Sequence, residues 1–455
     1  MKTRAILCIH RNTTSTFFSK EEEREDDEQQ IHEGFCQLVP ALKAEKAMAF
    51  QVLTLALVSR YTLEYAQSSQ TMRYKENSRM RDGTRVVRAG LSRVAQGEPF
   101  LPGPTFAGPY HLTGEPSTSD YSYGRYHNPT WTRFEQALGE LEVGPTIVFS
   151  SGMAAVTAVF GVTLRAGDVL VMPSDGYYTA RMLAEGYLTS QGIEVRLAPT
   201  EGSTQRELLD GATLLWLETP SNPELDVCDL AELVEAAHRR SVLVAVDNTT
   251  ATVLGQQPLQ LGADFSVSSD TKALTGHGDL LLGHVATRES SWRDRLQAFR
   301  TQQGSVPGPM EVWLAHRSLA TLDVRLERQC KSALEIAQFL ATQSEVMLVR
   351  YPGLPQDPAY ALASRQMKRY GPVVSFVLKG QVEAEHFLNA CRLVLQATSF
   401  GGVQTTAERR ARWGGDAIPE GFIRLSVGCE DTQDLLEDIG QALTSVSREV
   451  EEGHS

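Results

Sequence analysis

The chain has 455 residues, of which 42% are hydrophobic and 22% charged, so it has room for two or three domains and an ample core. Its formal net charge of −13 argues against a nucleic-acid partner, which would favour a basic face. Six widely scattered cysteines with no CxxC pair suit reduced thiols in a cytoplasmic protein better than a disulfide frame or a zinc site, and no apolar run reaches membrane-spanning length.

In chain order, residues 1–80 join a basic start, an acidic run and a short apolar helix candidate, Ala47 to Val58. Lys2, Arg4, Arg11 and Lys20 could belong to a targeting leader, but the acidic stretch Glu21 to Glu28 argues against one. A disordered or weakly helical extension is expected there, with Met80 as an alternative translation start. Residues 81–130 are rich in Gly, Pro and Tyr and read as an arm that embraces a neighbouring subunit. A helix then starts with Asn128 as N-cap and Pro129 in its first turn, carrying Trp131, Phe134, Leu138 and Leu141 at helical spacing.

Over residues 131–305, strands at Thr146–Phe149, Val169–Met172, Glu194–Leu197, Thr213–Leu217, Val242–Val246, Ala263–Val267 and Leu281–Ala286 alternate with helical patterns such as Leu230 to Arg239. This predicts an α/β domain with a mostly parallel seven-stranded sheet covered on both faces, whose site lies at the carboxyl ends of the strands. A long helical pattern from Pro309 to Thr342 leads into a smaller C-terminal α/β domain, residues 306–455. Its expected strands are Val346–Val349, Val373–Leu378, Leu393–Thr398 and Phe422–Val427, with helices at Ala384–Cys391 and Thr432–Leu443.

Two strand ends carry the chemistry. Phe265-Ser-Val-Ser-Ser-Asp-Thr-Lys272 places a lysine after an apolar strand, and Leu243-Val-Ala-Val-Asp247 ends the preceding strand on a carboxylate. A buried lysine is costly unless its charge is lost or used, and the burial that lowers its pKa makes it a nucleophile toward an aldehyde. Lysine and aspartate together suit pyridoxal 5'-phosphate, with Asp247 keeping the pyridine nitrogen protonated. Ser151-Gly152-Met153 follows a strand and opens a helix, a ready anion cradle, and Ser269 and Thr271 can add hydroxyl donors. Plain capping and turn formation would account for the same residues. Tyr177 or its neighbour Tyr178 is placed to stack on the ring, and Asn222 can donate to the ring hydroxyl. Arg424, inside an apolar strand, wants a bidentate anion, which an amino-acid carboxylate or a structural acid would supply. His277, His284 and Asp279 lack the spacing of a metal cluster, and no metal is expected.

In order along the chain, these segments resemble the Cys/Met-metabolism family of pyridoxal phosphate enzymes, the trans-sulfuration enzymes. The resemblance rests on Tyr123-Gly-Arg125-Tyr-His-Asn128-Pro129-Thr130, Ser151-Gly152-Met153, Glu218-Thr-Pro-Ser-Asn222-Pro223, Asp247-Asn248-Thr249, Ser269-Asp-Thr271-Lys272, Ser399-Phe-Gly401-Gly402-Val403 and Arg424-Leu-Ser-Val-Gly428. It implies the fold type I architecture of pyridoxal phosphate transferases. It makes Lys272 the cofactor-bearing lysine and general base, Tyr177 the stacking and catalytic tyrosine, and Arg424 and Ser399 substrate-binding residues. Tyr123 and Arg125 would reach the phosphate of a neighbouring subunit in a homotetramer built as a dimer of dimers. The activity it implies is a cystathionine γ-lyase acting on a small sulfur amino acid, with γ-synthase, methionine γ-lyase and O-acylhomoserine sulfhydrylase as near alternatives. The chain departs from the family at Tyr177-Tyr178-Thr179, one residue short, and at Gln404-Thr405-Thr406-Ala-Glu-Arg-Arg410, which helps form the distal substrate pocket. A non-catalytic scaffold is disfavoured by the intact Lys272, Asp247 and Arg424. A nicotinamide-dependent dehydrogenase is disfavoured because no GxGxxG follows the first strand.

Overall fold

The computed structural model describes residues 80–91 and 96–452. The extension expected over residues 1–80 lies, Met80 apart, outside the described residues.

The first long helix, Pro129–Glu142, starts as its sequence dictates. Asn128 Oδ1 accepts the Thr130 N–H at 2.9 Å, and Pro129 occupies the first turn, where no N–H is needed. The same side chain ties the preceding arm down, its Nδ2 donating to the Thr105 carbonyl at 2.9 Å. Trp131, Phe134, Leu138 and Leu141 are buried on one face.

The large sheet has seven strands: β1 Thr146–Phe149, β2 Val169–Pro173, β3 Glu194–Ala198, β4 Leu214–Glu218, β5 Leu243–Asp247, β6 Phe265–Ser269 and β7 Gly283–Thr287. Their spatial order is β1-β7-β6-β5-β4-β2-β3. Strands β3, β2, β4, β5 and β6 run parallel, whereas β7 is antiparallel to both β6 and β1. Alternate residues feed two cores. Leu214 and Trp216 pack with Phe160 and Phe265 on one face, and Leu215 and Leu217 pack with Leu233 and Val244 on the other. The period-two alternation therefore buries both faces, and every parallel strand delivers its last residue to the same edge.

A second sheet, in the order β10-β11-β12-β9-β8, has a separate core around Phe376, Phe387, Ile423 and Leu425. Its strands are β8 Leu348–Arg350, β9 Val373–Val377, β10 Leu395–Gln396, β11 Thr406–Arg409 and β12 Phe422–Ser426.

Four expectations need correction. The helical pattern from Pro309 to Thr342 is two helices, Pro309–Leu319 and Leu322–Leu340, separated where Thr321 leaves helical geometry (φ −108°, ψ 3°). The strand expected from Leu281 begins at Gly283, leaving Leu281 exposed. The strand expected at Leu393–Thr398 shrinks to two exposed residues, Leu395 and Gln396. Strand β11 was not expected, and its Glu408 and Arg409 are both buried. Among the described residues, no helix is long and apolar enough to cross a membrane.

Candidate active site

The carboxyl ends of β4, β5 and β6 lie side by side, with Glu218 in register with Asp247 and Asp247 in register with Val267. Lys272 follows in the turn after β6. Its Nζ donates to Ser399 Oγ at 2.6 Å and sits 5.2 Å from the centre of the Phe400 ring. Burial, helped by the nearby Arg424 charge, lowers its pKa to about 8, against the opposing pull of Glu408 and Asp247. A substantial fraction of the amine is therefore neutral near physiological pH, which a nucleophilic lysine requires.

Asp247 is buried, and burial raises its pKa. Thr249 works against this through hydrogen bonds to the carboxylate, its N–H donating to Oδ1 at 3.0 Å, and the Lys272 charge works the same way. Beside it, Glu218 is raised well above the usual carboxylate range, first by burial and then by the charge of Asp247. Two adjacent buried carboxylates resist joint ionisation, so a protonated Glu218 leaves the charge on Asp247. Glu218 Oε2 also accepts the Tyr177 N–H at 2.6 Å and so fixes the backbone at that tyrosine. Sequence reasoning missed Glu218 as a functional residue, although its place at a strand end beside Asp247 was a usable signal.

The two tyrosines separate clearly. Tyr178 packs against Gly415, where an added Cβ would come within 2.5 Å of its ring, and the Arg181 guanidinium lies 5.7 Å from that ring's centre. Tyr177 is free of these contacts and 40% exposed at the strand-end edge of the sheet.

The segment expected to cradle an anion is a capped helix start. Ser151 caps the helix Gly152–Thr163, its Oγ accepting the Ala154 N–H at 3.1 Å, and Met153 packs on the core of the large sheet. A Cβ on Gly152 would fall 2.6 Å from Ser269 Cβ and 2.7 Å from its Oγ. The Ser269 hydroxyl and the open helix N-terminus therefore face each other across a gap that only glycine leaves clear. Thr271 lies alongside, its hydroxyl paired with the Leu282 backbone: Oγ1 donates to the carbonyl at 3.2 Å and accepts the N–H at 3.1 Å. A helix N-terminus and hydroxyls for the phosphate, a buried lysine for the aldehyde and a strand-end aspartate to accept from the ring nitrogen are the groups that pyridoxal phosphate needs, and they fit it.

Arg424, on β12, is buried. It donates through Nη1 to Asn222 Oδ1 at 2.7 Å, and through Nη2 to the Ser399 carbonyl at 3.0 Å and Glu408 Oε1 at 2.5 Å. Burial lowers its pKa to about 10 against the pull of Glu408, so it stays charged at neutral pH. Asn222 thus presents its oxygen to Arg424 and keeps its amide N–H groups for another acceptor. Ser399, which meets both Lys272 and Arg424, holds φ at +78°, a strained value for a non-glycine residue. A cavity of about 800 Å³ opens beside Ser399, Phe400, Thr398, Gln404, Thr271 and Glu311.

Tyr123 and Arg125 stand apart from this cluster on the exposed arm. Arg125 donates to the Thr301 carbonyl at 3.0 Å, and its guanidinium lies 5.1 Å from the centre of the Tyr126 ring and 5.5 Å from that of Tyr123. His284 is buried between Asp270, at 2.6 Å, and Glu142, at 3.2 Å. Burial opposes its charge, yet those carboxylates raise its pKa to about 10, which marks it as an ion-paired core histidine.

Known proteins resemble this chain in sequence and fold. A Streptomyces coelicolor protein named "Putative cystathionine gamma-lyase" is 59% identical over 367 residues, covering 80% of this chain and 93% of the relative. The crystal structure of an apo methionine gamma lyase from Micromonospora echinospora is 38% identical with a TM-score of 0.75, covering 80% of this chain and all of that one (100%). A cystathionine gamma synthase from Xanthomonas oryzae pv. oryzae, solved in complex with cystathionine, is 32% identical with a TM-score of 0.78, covering 81% and 99% of the two chains. Residues 98–444 match the family described as Cys/Met metabolism PLP-dependent enzyme. The chain belongs to that family and is a pyridoxal phosphate-dependent enzyme of the carbon–sulfur lyase and synthase group with the fold type I architecture.

Proposed function

We propose that the enzyme is a cystathionine γ-lyase, converting cystathionine and water to cysteine, 2-oxobutanoate and ammonia. The observation that carries this choice within the family is the 59% identity to the Streptomyces coelicolor relative. The cavity supports it, because Thr398, Gln404 and Glu311 in its lining offer polar partners to a substrate with a second amino-acid end.

When bound, pyridoxal phosphate supplies an aldehyde for the substrate amine and a ring that accepts electrons from the α carbon. Ser151, Gly152, Met153, Ser269 and Thr271 would hold its phosphate, Asp247 its ring nitrogen and Lys272 its aldehyde. Asn222 would donate to its ring hydroxyl, and Tyr177 would cover its ring. Arg424 holds the substrate α-carboxylate, with Ser399 beside it. Lys272 Nζ, steadied by Ser399 Oγ, takes the α proton and then serves the β carbon, so that the γ sulfur leaves with the electrons of its carbon bond. Tyr123 and Arg125 would complete a neighbouring subunit's phosphate site within a homotetramer. The unpaired Cys228, Cys330, Cys391 and Cys429 support a cytoplasmic location.

Incubation with cystathionine, methionine, homocysteine and O-acylhomoserines, with separate assays for oxo acids and thioethers, tests the choice. The lyase reading expects the highest kcat/KM with cystathionine and release of 2-oxobutanoate. A dominant thioether product from an O-acylhomoserine would establish the synthase instead, and faster turnover of methionine would establish the methionine lyase.

The lowered Lys272 pKa has its own test. Only the neutral amine attacks an aldehyde, so the rate at which apoenzyme captures pyridoxal phosphate should rise with pH and level off above about 8. An unperturbed lysine would keep accelerating to roughly pH 10.4. Stopped-flow absorbance across pH 6.5–10 distinguishes the two.

A further inference from the structure

The segment after Gly402-Val403, where the chain departs from its family's pattern, carries a line of ion pairs that the proposed mechanism does not use. It begins at Arg424. Glu408, in register with Arg424 on the neighbouring strand β11, accepts from it at 2.5 Å. The same carboxylate accepts from Arg410 and Arg412, each at 3.2 Å, and from Trp413 Nε1 at 2.9 Å. Arg410 reaches on to Asp416 at 2.6 Å, and Asp416 accepts from Arg181 at 2.9 Å. Arg181 then donates Nε to the Gly176 carbonyl at 2.9 Å and Nη2 to the Gly415 carbonyl at 2.9 Å. Gly176 immediately precedes Tyr177, and Gly415 packs against the Tyr178 ring.

The two acids are almost fully enclosed, with side-chain exposures of 1% for Glu408 and 5% for Asp416. Burying carboxylates is costly unless they are paired and hydrogen-bonded, and here each is held by at least two guanidiniums. Glu408 is kept ionised, since Arg424 and Arg410, with the Trp413 N–H, outweigh the effect of burial. Such an array holds its members in one geometry, because shifting any arginine leaves a buried acid short of a partner. Four arginines face two acids, so the line keeps a positive surplus to receive a substrate carboxylate.

We propose that Glu408 and Asp416 are positioning residues which, through Arg410 and Arg181, set Arg424 and Tyr177 as one unit, so that the grip on the substrate carboxylate and the seat of the ring-stacking tyrosine are coupled. This rests on the assignment of Arg424 and Tyr177 made above. It gives the Glu408–Asp416 segment a function of its own: it ties strand β12 of the smaller sheet to the loop after β2 of the larger.

The test uses holoenzyme carrying Asp416→Asn, Glu408→Gln or both. Two readouts are taken: the visible circular dichroism of the bound cofactor, which reports how rigidly its ring is seated, and KM and kcat for L-cystathionine. Asp416→Asn is expected to lower the visible dichroism at least twofold at unchanged cofactor absorbance. It should also raise KM about tenfold with a smaller change in kcat, the scale of one lost charge-assisted bond. The double variant is expected to fall short of the product of the two single effects, because both cut the same line. Unchanged dichroism and KM in folded Asp416→Asn would overturn the proposal, as would single effects that simply multiply. If Asp416→Asn does not fold, Arg181→Lys decides by the same readouts, since it keeps the charge but cannot reach Gly176 and Asp416 together. Failure of the underlying assignment would look different: Arg424→Ala itself would leave KM for L-cystathionine unchanged.

Discussion

Replacing Lys272 with alanine is expected to abolish turnover, with a loss of at least about 10³-fold in kcat, and to remove any covalent link to the cofactor. The size of the effect follows from the placement of the amine. It hangs from the turn after β6, donates to Ser399 and stands close enough to Asp247 for each to feel the other's charge. Among the described residues, no other lysine is hydrogen-bonded to Ser399 or acts on the charge of Asp247, so no second amine stands ready there to take over the α proton. The variant should still fold. Lys272 makes one side-chain hydrogen bond, and losing a buried ammonium relieves a desolvation cost. Far-UV circular dichroism and a thermal midpoint within a few degrees of the parent would show that lost activity is lost chemistry. Retained turnover would refute the assignment.

Arg424→Ala has the second largest expected effect, and it acts twice. Removing the guanidinium deletes the partner for the substrate carboxylate, and KM for amino-acid substrates should rise about 10²-fold, the range for a buried charge-assisted pair. It also strands Glu408, which is buried on the adjacent strand. Breaking one side of a buried pair costs roughly 3–5 kcal/mol, here softened because Arg410, Arg412 and Trp413 still donate to Glu408. A lower melting temperature should therefore accompany the raised KM. Arg424→Lys separates the two contributions. It keeps the charge beside Glu408 and recovers much of the stability, but it cannot offer a planar fork and should retain most of the KM defect. An unchanged KM in both variants would move the carboxylate grip elsewhere.

The sheet was legible because its strands are short apolar runs bounded by turn residues, and because their alternation with helical patterns admits few topologies. The same logic places Asp247 and Lys272 at the carboxyl ends of strands. What could not be read were features made by contacts distant in sequence. Strand β11 contains Glu408 and Arg409, which a periodicity argument assigns to the surface. Only the approach of Arg424, Arg410 and Arg412 makes Glu408 a core residue. The break between the helices Pro309–Leu319 and Leu322–Leu340 carries no glycine or proline to announce it. Tyr177 and Tyr178 are adjacent and chemically identical, and what separates them is Gly415, more than two hundred residues later, packed on Tyr178. Glu218 likewise read as the opening of a turn motif, until its register with Asp247 made it half of a buried carboxylate pair.

The central claim is that one particular amine is the point at which the cofactor is held. Borohydride reduction of the purified holoenzyme, followed by proteolysis and mass spectrometry, addresses it directly. A pyridoxyl adduct on the peptide containing Lys272, together with loss of the visible cofactor band on reduction, is the expected result. An adduct on a different lysine, or no adduct in protein that carries the cofactor and turns over substrate, would contradict the account.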